Sequence, residues 1–241
     1  MSSASQLNDK QLEAMKYVQG PLLVLAGAGS GKTSVITRKI AFLVQQCGIP
    51  AHRITAMTFT NKAAREMKER VGKLLSREEA KGLSVSTFHT FGLNLLRIEL
   101  KHLPLKANFS ILDADDCKRI LMDLMQRDNL SGAESKELIA KAMKKISDWK
   151  NDLVIPEQAH STCETPEDVQ LAHLYQLYER NLRAYNAVDF DDLIVMPTRL
   201  LQENAEVRDK WQNRVRYLLV DEYQDTNTAQ YTLVKLLVGV M

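Results

Sequence analysis

The sequence predicts an α/β fold, in which a doubly wound parallel sheet is interrupted by an inserted, entirely helical segment. Short apolar runs at 22–25, 54–59, 83–87 and 217–220 are typical of buried parallel strands. Helical periodicity follows the first two runs, and strands that alternate with helices are typical of a doubly wound sheet. Between about 90 and 200 the strand signals fade and helical periodicity takes over.

These boundaries define three expected stretches. Residues 1–89 form the first part of the α/β domain, and residues 90–199 form the inserted helical subdomain. Residues 200–241 return to the α/β domain. Both crossings are expected in loops, as is usual where one domain is inserted into another.

Composition excludes several classes of protein. The chain has 241 residues, 45% of them hydrophobic and 26% charged, which is ordinary for a globular protein. No apolar run approaches the ~20 residues that span a bilayer, and the first ten residues lack the features of a signal peptide. Three widely spaced cysteines argue against a zinc site or a disulfide framework and predict a cytoplasmic protein. The net charge of +2 does not by itself indicate nucleic-acid binding.

The first strand run leads directly into a glycine-rich turn, LLVLAGAGSGKT, at 22–33. This is the form of a phosphate-binding loop between a buried strand and a helix, although Ala26 replaces the usual first glycine. Lys32 would supply a charge to the outer phosphates, and the Thr33 hydroxyl could ligate Mg²⁺. A purely structural glycine turn is the alternative. The candidate binding set is Ala26, Gly27, Ala28, Gly29, Ser30, Gly31, Lys32 and Thr33, and the fold it predicts is of the P-loop NTPase type.

Gln11 has two interpretations. It stands three residues after Asn8, which is the spacing of a capping box at the start of a helix. Its side-chain amide also matches the donor and acceptor pair on an adenine edge. The residues alone leave both roles open.

The run LLVDEYQD at 218–225 carries the second strong signal. A buried strand here ends in two acids, where Asp221 would hold Mg²⁺ and Glu222 would orient and deprotonate an attacking water. The alternative is an acid pair that stabilises a helix N-terminus. Combined with the upstream loop, the motif predicts Mg²⁺-dependent hydrolysis of a nucleoside triphosphate.

Two other strands end in clusters of polar and aromatic residues. In an open parallel sheet, ligands gather beyond the carboxyl ends of the strands, so both clusters should share the face that holds the nucleotide. Aromatic rings can stack on unpaired bases, and hydroxyl groups can hold phosphates. The alternative is that the aromatic residues lie in the core and the polar residues cap helices. The clusters contain Phe59, Thr60 and Asn61, and Thr87, Phe88 and His89.

Two charged stretches are also ambiguous. Residues 136–150 hold five lysines and two acids, and either a solvated helix face or a nucleic-acid contact would explain them. The acids of VDFDDL could form a metal-dependent nuclease centre, but an interdomain capping cluster is the favoured interpretation. These acids are Asp189, Asp191 and Asp192.

Taken together, the motifs resemble those of superfamily 1 DNA helicases of the UvrD/PcrA/Rep type. The segments LNDKQ, AGAGSGKT, TFTNKAAREM, STFHT, VDFDDL and LLVDEYQDTN occur in the order found in that family. The resemblance spans residue 7 to about residue 239, which is nearly the whole chain. Ala26 is the usual residue of the family at that position of the loop.

The resemblance implies an ATP-dependent DNA helicase that moves 3′→5′ on single-stranded DNA, with Mg²⁺ as cofactor. Its implied partners are single-stranded DNA, duplex junctions and proteins of the replication fork. Gln11 would read adenine, and Gln224 would link the nucleotide site to DNA. Phosphate, metal and general-base roles fall on Lys32, Thr33, Asp221 and Glu222, and DNA contacts fall on Phe59, Thr60, Asn61, Thr87, Phe88 and His89.

Two departures from the family pattern shape this expectation. Ser34 stands where close relatives often have arginine, and the chain stops at Met241, before the second α/β domain of the family. We therefore expect an N-terminal part that binds ATP weakly and hydrolyses it slowly by itself. Two other functions remain open: a nucleotide-gated DNA-binding module, and the helicase part of a helicase–nuclease.

Overall fold

The computed structural model describes residues 7–27, 29–127 and 135–239. Within these ranges the chain divides into two compact units. The first contains the described residues of 1–88 together with 209–225 and 237–239. The second contains the described residues of 89–208 together with 226–236.

In the described ranges, helices dominate and the strands are short. The helices are α1 (Asp9–Lys16), α2 (Lys32–Gln45), α3 (Asn61–Gly72), α4 (Phe88–Ile98), α5 (Ala114–Arg127), α6 (Ser135–Asn151), α7 (Pro156–Ser161), α8 (Pro166–Ala184), α9 (Asp192–Glu203), α10 (Ala205–Arg214) and α11 (Thr228–Val238). The strands are β1 (Ile54–Thr58), β2 (Ser84–Thr87), β3 (Ser110–Ile111), β4 (Ala187–Val188) and β5 (Tyr217–Val220).

The first unit is built on a parallel three-stranded sheet in the order β2-β1-β5. Thr58 pairs with Thr87, and Met57 pairs with Val220, so the three strands end at the same edge. Helices α2 and α3 pack apolar side chains such as Leu43 and Met67 against this sheet. Burial of these residues positions the carboxyl ends of all three strands together.

Three of the predicted strands and two predicted caps are confirmed. Strands β1, β2 and β5 lie where the apolar runs predicted them, with ends that differ by one residue at most. Asn8 caps α1, and the Thr60 side chain accepts a hydrogen bond from the Ala63 N–H at the start of α3. Local side-chain chemistry was sufficient to predict these caps.

The strand predicted before the glycine loop is wrong for this structure. Residues 21–27 have no regular secondary structure, and Leu25 is 86% exposed. A parallel strand requires a hydrogen-bonded neighbour, and among the described residues the run at 22–25 pairs with no strand of the sheet. An apolar run is therefore compatible with a strand but does not by itself determine one.

The second unit is mainly helical and has its own core. Helices α5, α6 and α8 bury a cluster that includes Leu124, Ile146 and Leu174. The Trp149 and Tyr175 rings stack with centroids 5.6 Å apart. A parallel pair of two-residue strands, β3 and β4, was not predicted because so short a run carries no periodicity.

Helices α4 and α9 approach each other closely at Gly92. A Cβ atom at that position would lie 1.7 Å from the Leu193 carbonyl oxygen and 3.4 Å from the Pro197 ring. The first obstacle is backbone, which cannot rotate away as a side chain can. Only glycine fits this crossing.

No helix in the described part of the chain is both long enough and apolar enough to cross a membrane.

Replacing Gly92 by alanine should destabilise the protein by about 1–3 kcal/mol or more, because overpacking forces the two helices apart. The measurement is the free energy of unfolding in urea. Gly72→Ala is the matched control, since a Cβ at Gly72 meets nothing within 4 Å. Equal stability of the two variants would contradict the close approach.

Candidate functional site

Two side chains from distant parts of the sequence meet at the carboxyl edge of the sheet. Strand β5 ends at Val220, and the Asp221 N–H donates to the Met57 carbonyl at 2.9 Å, which extends the ladder by one residue. Thr33 lies in the first turn of α2. Its hydroxyl donates to Asp221 Oδ2 at 3.0 Å, across 188 residues of sequence.

The Thr33 hydroxyl and the Asp221 carboxylate are oxygen groups that could ligate a divalent ion. Mg²⁺ prefers oxygen ligands and is usually held by one or two carboxylates together with substrate phosphates and water. Asp221 is 5% exposed, so its carboxylate is fixed in position. No group of three or more His, Cys, Asp or Glu side chains in the described residues is arranged to hold a metal. A divalent ion here would therefore rely on oxygen atoms from a ligand as well.

The glycine loop wraps tightly before α2. Gly29 and Gly31 have φ angles of +74° and +83°, a left-handed conformation that favours glycine. The Lys32 ammonium donates to the Ala26 carbonyl at 3.0 Å and to the Gly27 carbonyl at 3.3 Å. It thus lies over the loop itself, where a phosphate oxygen would be a stronger, charge-assisted partner. Ala28, a member of the predicted set, is outside the described residues.

Gln11 both caps α1 and contacts the glycine loop. The Asn8 N–H donates to Gln11 Oε1 and the Gln11 N–H donates to Asn8 Oδ1, each at 2.9 Å, so the capping interpretation is confirmed. Gln11 Nε2 donates to the Ser30 carbonyl at 2.9 Å. The adenine role stays a prediction, but the amide lies beside the loop to which a nucleotide would bind.

Glu222 has a strained backbone directly after Asp221. Its φ angle is +51°, which is uncommon for a residue with a side chain. The Glu222 N–H donates to Asp221 Oδ1 at 3.2 Å, and Gln224 Nε2 donates to Glu222 Oε2 at 2.5 Å. Such strain is found where the surrounding structure over-determines a residue, often at a functional site.

The cluster after β1 is accessible in part. Phe59 is half-buried, while Thr60 and Asn61 are exposed at the start of α3. Thr60 Oγ1 is occupied in part by the cap, 3.1 Å from the Ala63 nitrogen. Phe59 and Asn61 are therefore accessible to a ligand at the strand ends.

The cluster after β2 differs from the prediction of direct DNA contact. Phe88 is 1% exposed and packs on Phe59 with ring centroids 5.4 Å apart, so it is a core aromatic residue and cannot itself stack on a base. Thr87 is also buried, because it pairs with Thr58 inside the sheet. For Phe88 the core interpretation is correct, whereas Thr87 is part of the sheet and was expected only as a helix cap or a DNA contact.

His89 belongs to the second unit and has an aromatic partner that sequence reasoning missed. Its imidazole stacks on the Phe190 ring, with centroids 3.9 Å apart and planes inclined by 23°. Burial lowers the pKa of His89, which favours a neutral ring. Phe190 is 58% exposed. An aromatic residue between the acids of VDFDDL is the signal that could have drawn attention to it.

A buried ion cluster occupies the place of the suggested nuclease centre. Lys150 Nζ contacts Asp189 Oδ2 at 2.7 Å, Asp192 Oδ1 at 2.9 Å and Glu179 Oε1 at 2.8 Å. Asp189 and Asp192 also cap each other's backbone N–H groups, as the capping interpretation predicts. The whole cluster lies within the second unit, so the predicted capping cluster is not interdomain. The contacts of Lys150 with these acids were not predicted.

The charges in this cluster are mutually dependent. Burial opposes the charge of Lys150, but the attraction of Asp192, Asp189 and Glu179 outweighs it, so the pKa of Lys150 lies well above its usual value. Burial raises the pKa of Asp192 to about 7. At Asp189 the attraction of Lys150 overcomes burial and lowers the pKa. These aspartates neutralise a buried cation and are therefore not available as metal ligands.

The lysines of α6 are partly engaged within the protein. Lys141 pairs with Glu167 at 2.8 Å and with Glu137 at 3.4 Å, and Lys145 lies over the Trp149 ring. Lys144 is exposed. This distribution agrees with a solvated helix face and gives no separate support for a nucleic-acid contact.

These features define a mixed α/β protein with an oxygen-rich, glycine-loop site at the ends of parallel strands. A sequence model of the family described as UvrD/REP helicase N-terminal domain matches residues 7–240. The chain belongs to this family.

Several bacterial DNA helicases are similar to this chain. The ATP-dependent DNA helicase Rep of Escherichia coli is 56% identical over 234 residues, which cover 97% of this chain and 34% of that protein. The Rep helicase of Salmonella typhimurium is 55% identical over the same shares. The helicase PcrA of Staphylococcus aureus is 42% identical over 97% of this chain and 32% of its own length. The chain thus spans about a third of these relatives.

Replacing Lys150 by methionine should cost about 3–5 kcal/mol of folding free energy near neutral pH, because two buried aspartates and the half-buried Glu179 lose their cation. Without Lys150 the folded-state pKa values of these acids rise above their unfolded values. The folded state then binds protons more tightly, so acidification from about pH 8 to about pH 5 restores part of the lost stability.

Urea unfolding at both pH values provides the measurement, and Lys144→Met on the exposed face of the same helix is the control. If Lys150→Met lowers the free energy of unfolding only slightly, or lowers it more at acidic pH, the cluster does not have these charges.

Proposed function

We propose that this chain is the nucleotide-binding part of an ATP-dependent, Rep-like DNA helicase that translocates 3′→5′ on single-stranded DNA in replication or repair. The observation that carries the proposal is the contact between the Thr33 hydroxyl and Asp221 at 3.0 Å. It joins the glycine loop to the acidic strand end, as a phosphate-and-metal site requires. The curated relatives, named ATP-dependent DNA helicases, support the reaction class.

The nucleotide site follows from the contacts of the first unit. The N–H groups at the start of α2 and the Lys32 ammonium would hold the phosphates of ATP. Thr33 and Asp221 would hold Mg²⁺, which supplies neutralisation of charge on the phosphates when bound. Gln11 would read the adenine edge, since its amide already lies against the loop at Ser30.

Glu222 is proposed as the general base. It directly follows Asp221, the proposed metal ligand, and its carboxylate accepts a hydrogen bond from Gln224 Nε2 at 2.5 Å. Gln224 is exposed, so a ligand that engaged its amide would free the Glu222 carboxylate. This would make Gln224 the link between a bound strand and hydrolysis.

The DNA track is proposed at the carboxyl ends of β1 and β2. Phe59 and Asn61 are the accessible members of the first cluster, and Thr60 adds a hydroxyl. Thr87 and Phe88 support this edge from inside the sheet. We propose a separate base contact within the second unit, where His89 and the exposed Phe190 offer stacked rings of the kind that unpaired bases prefer.

We further propose the P-loop NTPase type of doubly wound sheet for residues 1–89 and 200–241, with 90–199 as the inserted helical subdomain. Single-stranded DNA and duplex junctions are the proposed partners, with replication-fork proteins as further ones. The proposed location is cytoplasmic. We propose this activity for the whole protein, since the curated relatives are about three times as long as this chain.

Replacing Glu222 by glutamine in that protein should lower DNA-stimulated ATP hydrolysis by about 10²- to 10⁴-fold, the range for loss of a general base. ATP binding should persist, because glutamine keeps the size of the side chain. Phosphate release and equilibrium ATP binding are the two measurements. Glu206→Gln on the exposed face of α10 is the control.

An unchanged rate in Glu222→Gln would refute the assignment of the base. A protein that binds ATP and DNA but never unwinds tailed duplexes of either polarity would be a nucleotide-gated binding module. Unwinding only of duplexes with a 5′ tail would contradict the proposed direction.

Replacing Phe59 by alanine should weaken binding of single-stranded DNA by about 1–3 kcal/mol per stacked base. Fluorescence anisotropy with a labelled oligothymidine at fixed salt measures this, and a thermal melt verifies folding. Tyr185→Ala serves as the control. It removes an accessible aromatic ring that does not belong to the segments that follow β1 and β2. Equal affinities of the two variants for DNA would show that bound DNA does not stack on Phe59.

A further inference from the structure

Helix α1 carries Gln11 but has no core of its own. None of its residues is fully buried, and Leu12 is 36% exposed. The helix has eight residues, and isolated helices shorter than about 12–15 residues are marginal in water. It packs on α2, and its half-buried residues include Met15. Further contacts at its two ends fix its position.

Those contacts are polar. At the N-terminal end, Gln11 Nε2 donates to the Ser30 carbonyl at 2.9 Å. At the C-terminal end, the Lys39 ammonium donates to the carbonyls of Ala14 at 2.9 Å, Met15 at 3.5 Å and Tyr17. Just beyond the helix, the Tyr217 hydroxyl lies 3.5 Å from the Val18 carbonyl, at the limit of a hydrogen bond.

Lys39 is suited to this place. The last carbonyls of a helix have no partners within the helix and carry the negative end of its dipole, so a cation with several donors stabilises them. An ammonium has three N–H donors, and three carbonyls surround it here. The side chain is half-buried, and burial lowers the pKa of Lys39.

Lys39 also lies on the helix that forms the nucleotide site. It is seven residues after Lys32 on α2, and positions seven apart share a helix face. The same helix therefore carries the phosphate-binding lysine near its start and the anchor for α1 two turns later. Phosphate binding and base recognition are linked through one rigid element.

We infer that Lys39 is a positioning residue for recognition of the nucleotide base, since it holds the C-terminal end of α1 and so keeps Gln11 beside the glycine loop. This inference rests on the proposed nucleotide site. It predicts that Lys39 affects binding of the base and leaves binding of the phosphates unchanged.

The test compares the affinities of ATP and of inorganic tripolyphosphate, both with Mg²⁺, for the purified chain by titration calorimetry. Lys39→Met should weaken ATP binding about three- to tenfold, the loss expected for a hydrogen bond. Tripolyphosphate binding should stay within about twofold of wild type. Lys16→Met, on an exposed position of α1, is the control and should change neither affinity.

Two further variants separate positioning from a general effect on stability. Lys39→Arg, which keeps a cation with several donors, should restore most of the ATP affinity. In a Gln11→Ala background, Lys39→Met should have no added effect on ATP affinity, because it acts through Gln11. Should Lys39→Met fail to fold, Lys39→Gln should give an intermediate ATP affinity.

The results distinguish the positioning role of Lys39 from the proposed nucleotide site. If ATP and tripolyphosphate weaken together in the folded variant, or if neither weakens, the role of Lys39 is overturned and the nucleotide site stands. If the two substitutions at Gln11 and Lys39 act additively, the role is likewise overturned. If the wild-type chain binds neither ligand, the proposed nucleotide site itself is overturned.

Discussion

The hydrogen bond between Thr33 and Asp221 is the contact on which the account of this protein depends. It forms because β5 lies beside β1 in a parallel register and because α2 begins where the glycine loop ends. Parallel strands that end at one edge leave their following residues close together. The sheet thus brings the Thr33 hydroxyl and the Asp221 carboxylate, which are 188 residues apart in the sequence, to one place, where both would offer oxygen to the proposed cation.

The two units of the protein use charge in different ways. In the second unit, Lys150 is 1% exposed and pairs with three carboxylates, so its charge is neutralised within the protein. In the first unit, the partners of the Lys32 ammonium within the described residues are carbonyl oxygens of its own loop. Neutral carbonyls are weaker partners for an ammonium than anionic oxygens are. The charge at the loop is therefore suited to an anionic ligand, and the charge in the cluster is suited to structure.

Features that depend on local sequence were predicted correctly, whereas features that depend on distant residues were not. The caps at Asn8 and Thr60, the strand at 217–220 and the helices of the middle segment follow from patterns within a few residues. The strand predicted at 22–25 was wrong, because a strand requires a hydrogen-bonded neighbour and a short apolar pattern does not specify one. Lys150, Lys39 and Phe190 were missed because their partners lie between 22 and 101 residues away, which only the fold reveals. Burial of Phe88 also depends on packing and not on its motif.

The most direct measurement of the central claim is electron paramagnetic resonance of Mn²⁺, which shares the oxygen preference of Mg²⁺, bound with ATP to the wild-type chain and to Asp221→Asn. The wild-type chain should hold Mn²⁺ with resolved hyperfine coupling to the phosphorus nuclei of ATP. In Asp221→Asn, Mn²⁺ should bind at least tenfold more weakly, on the order of one lost charge-assisted contact. An identical Mn²⁺ affinity and spectrum in both proteins would contradict the assignment of Thr33 and Asp221 as the metal-binding pair.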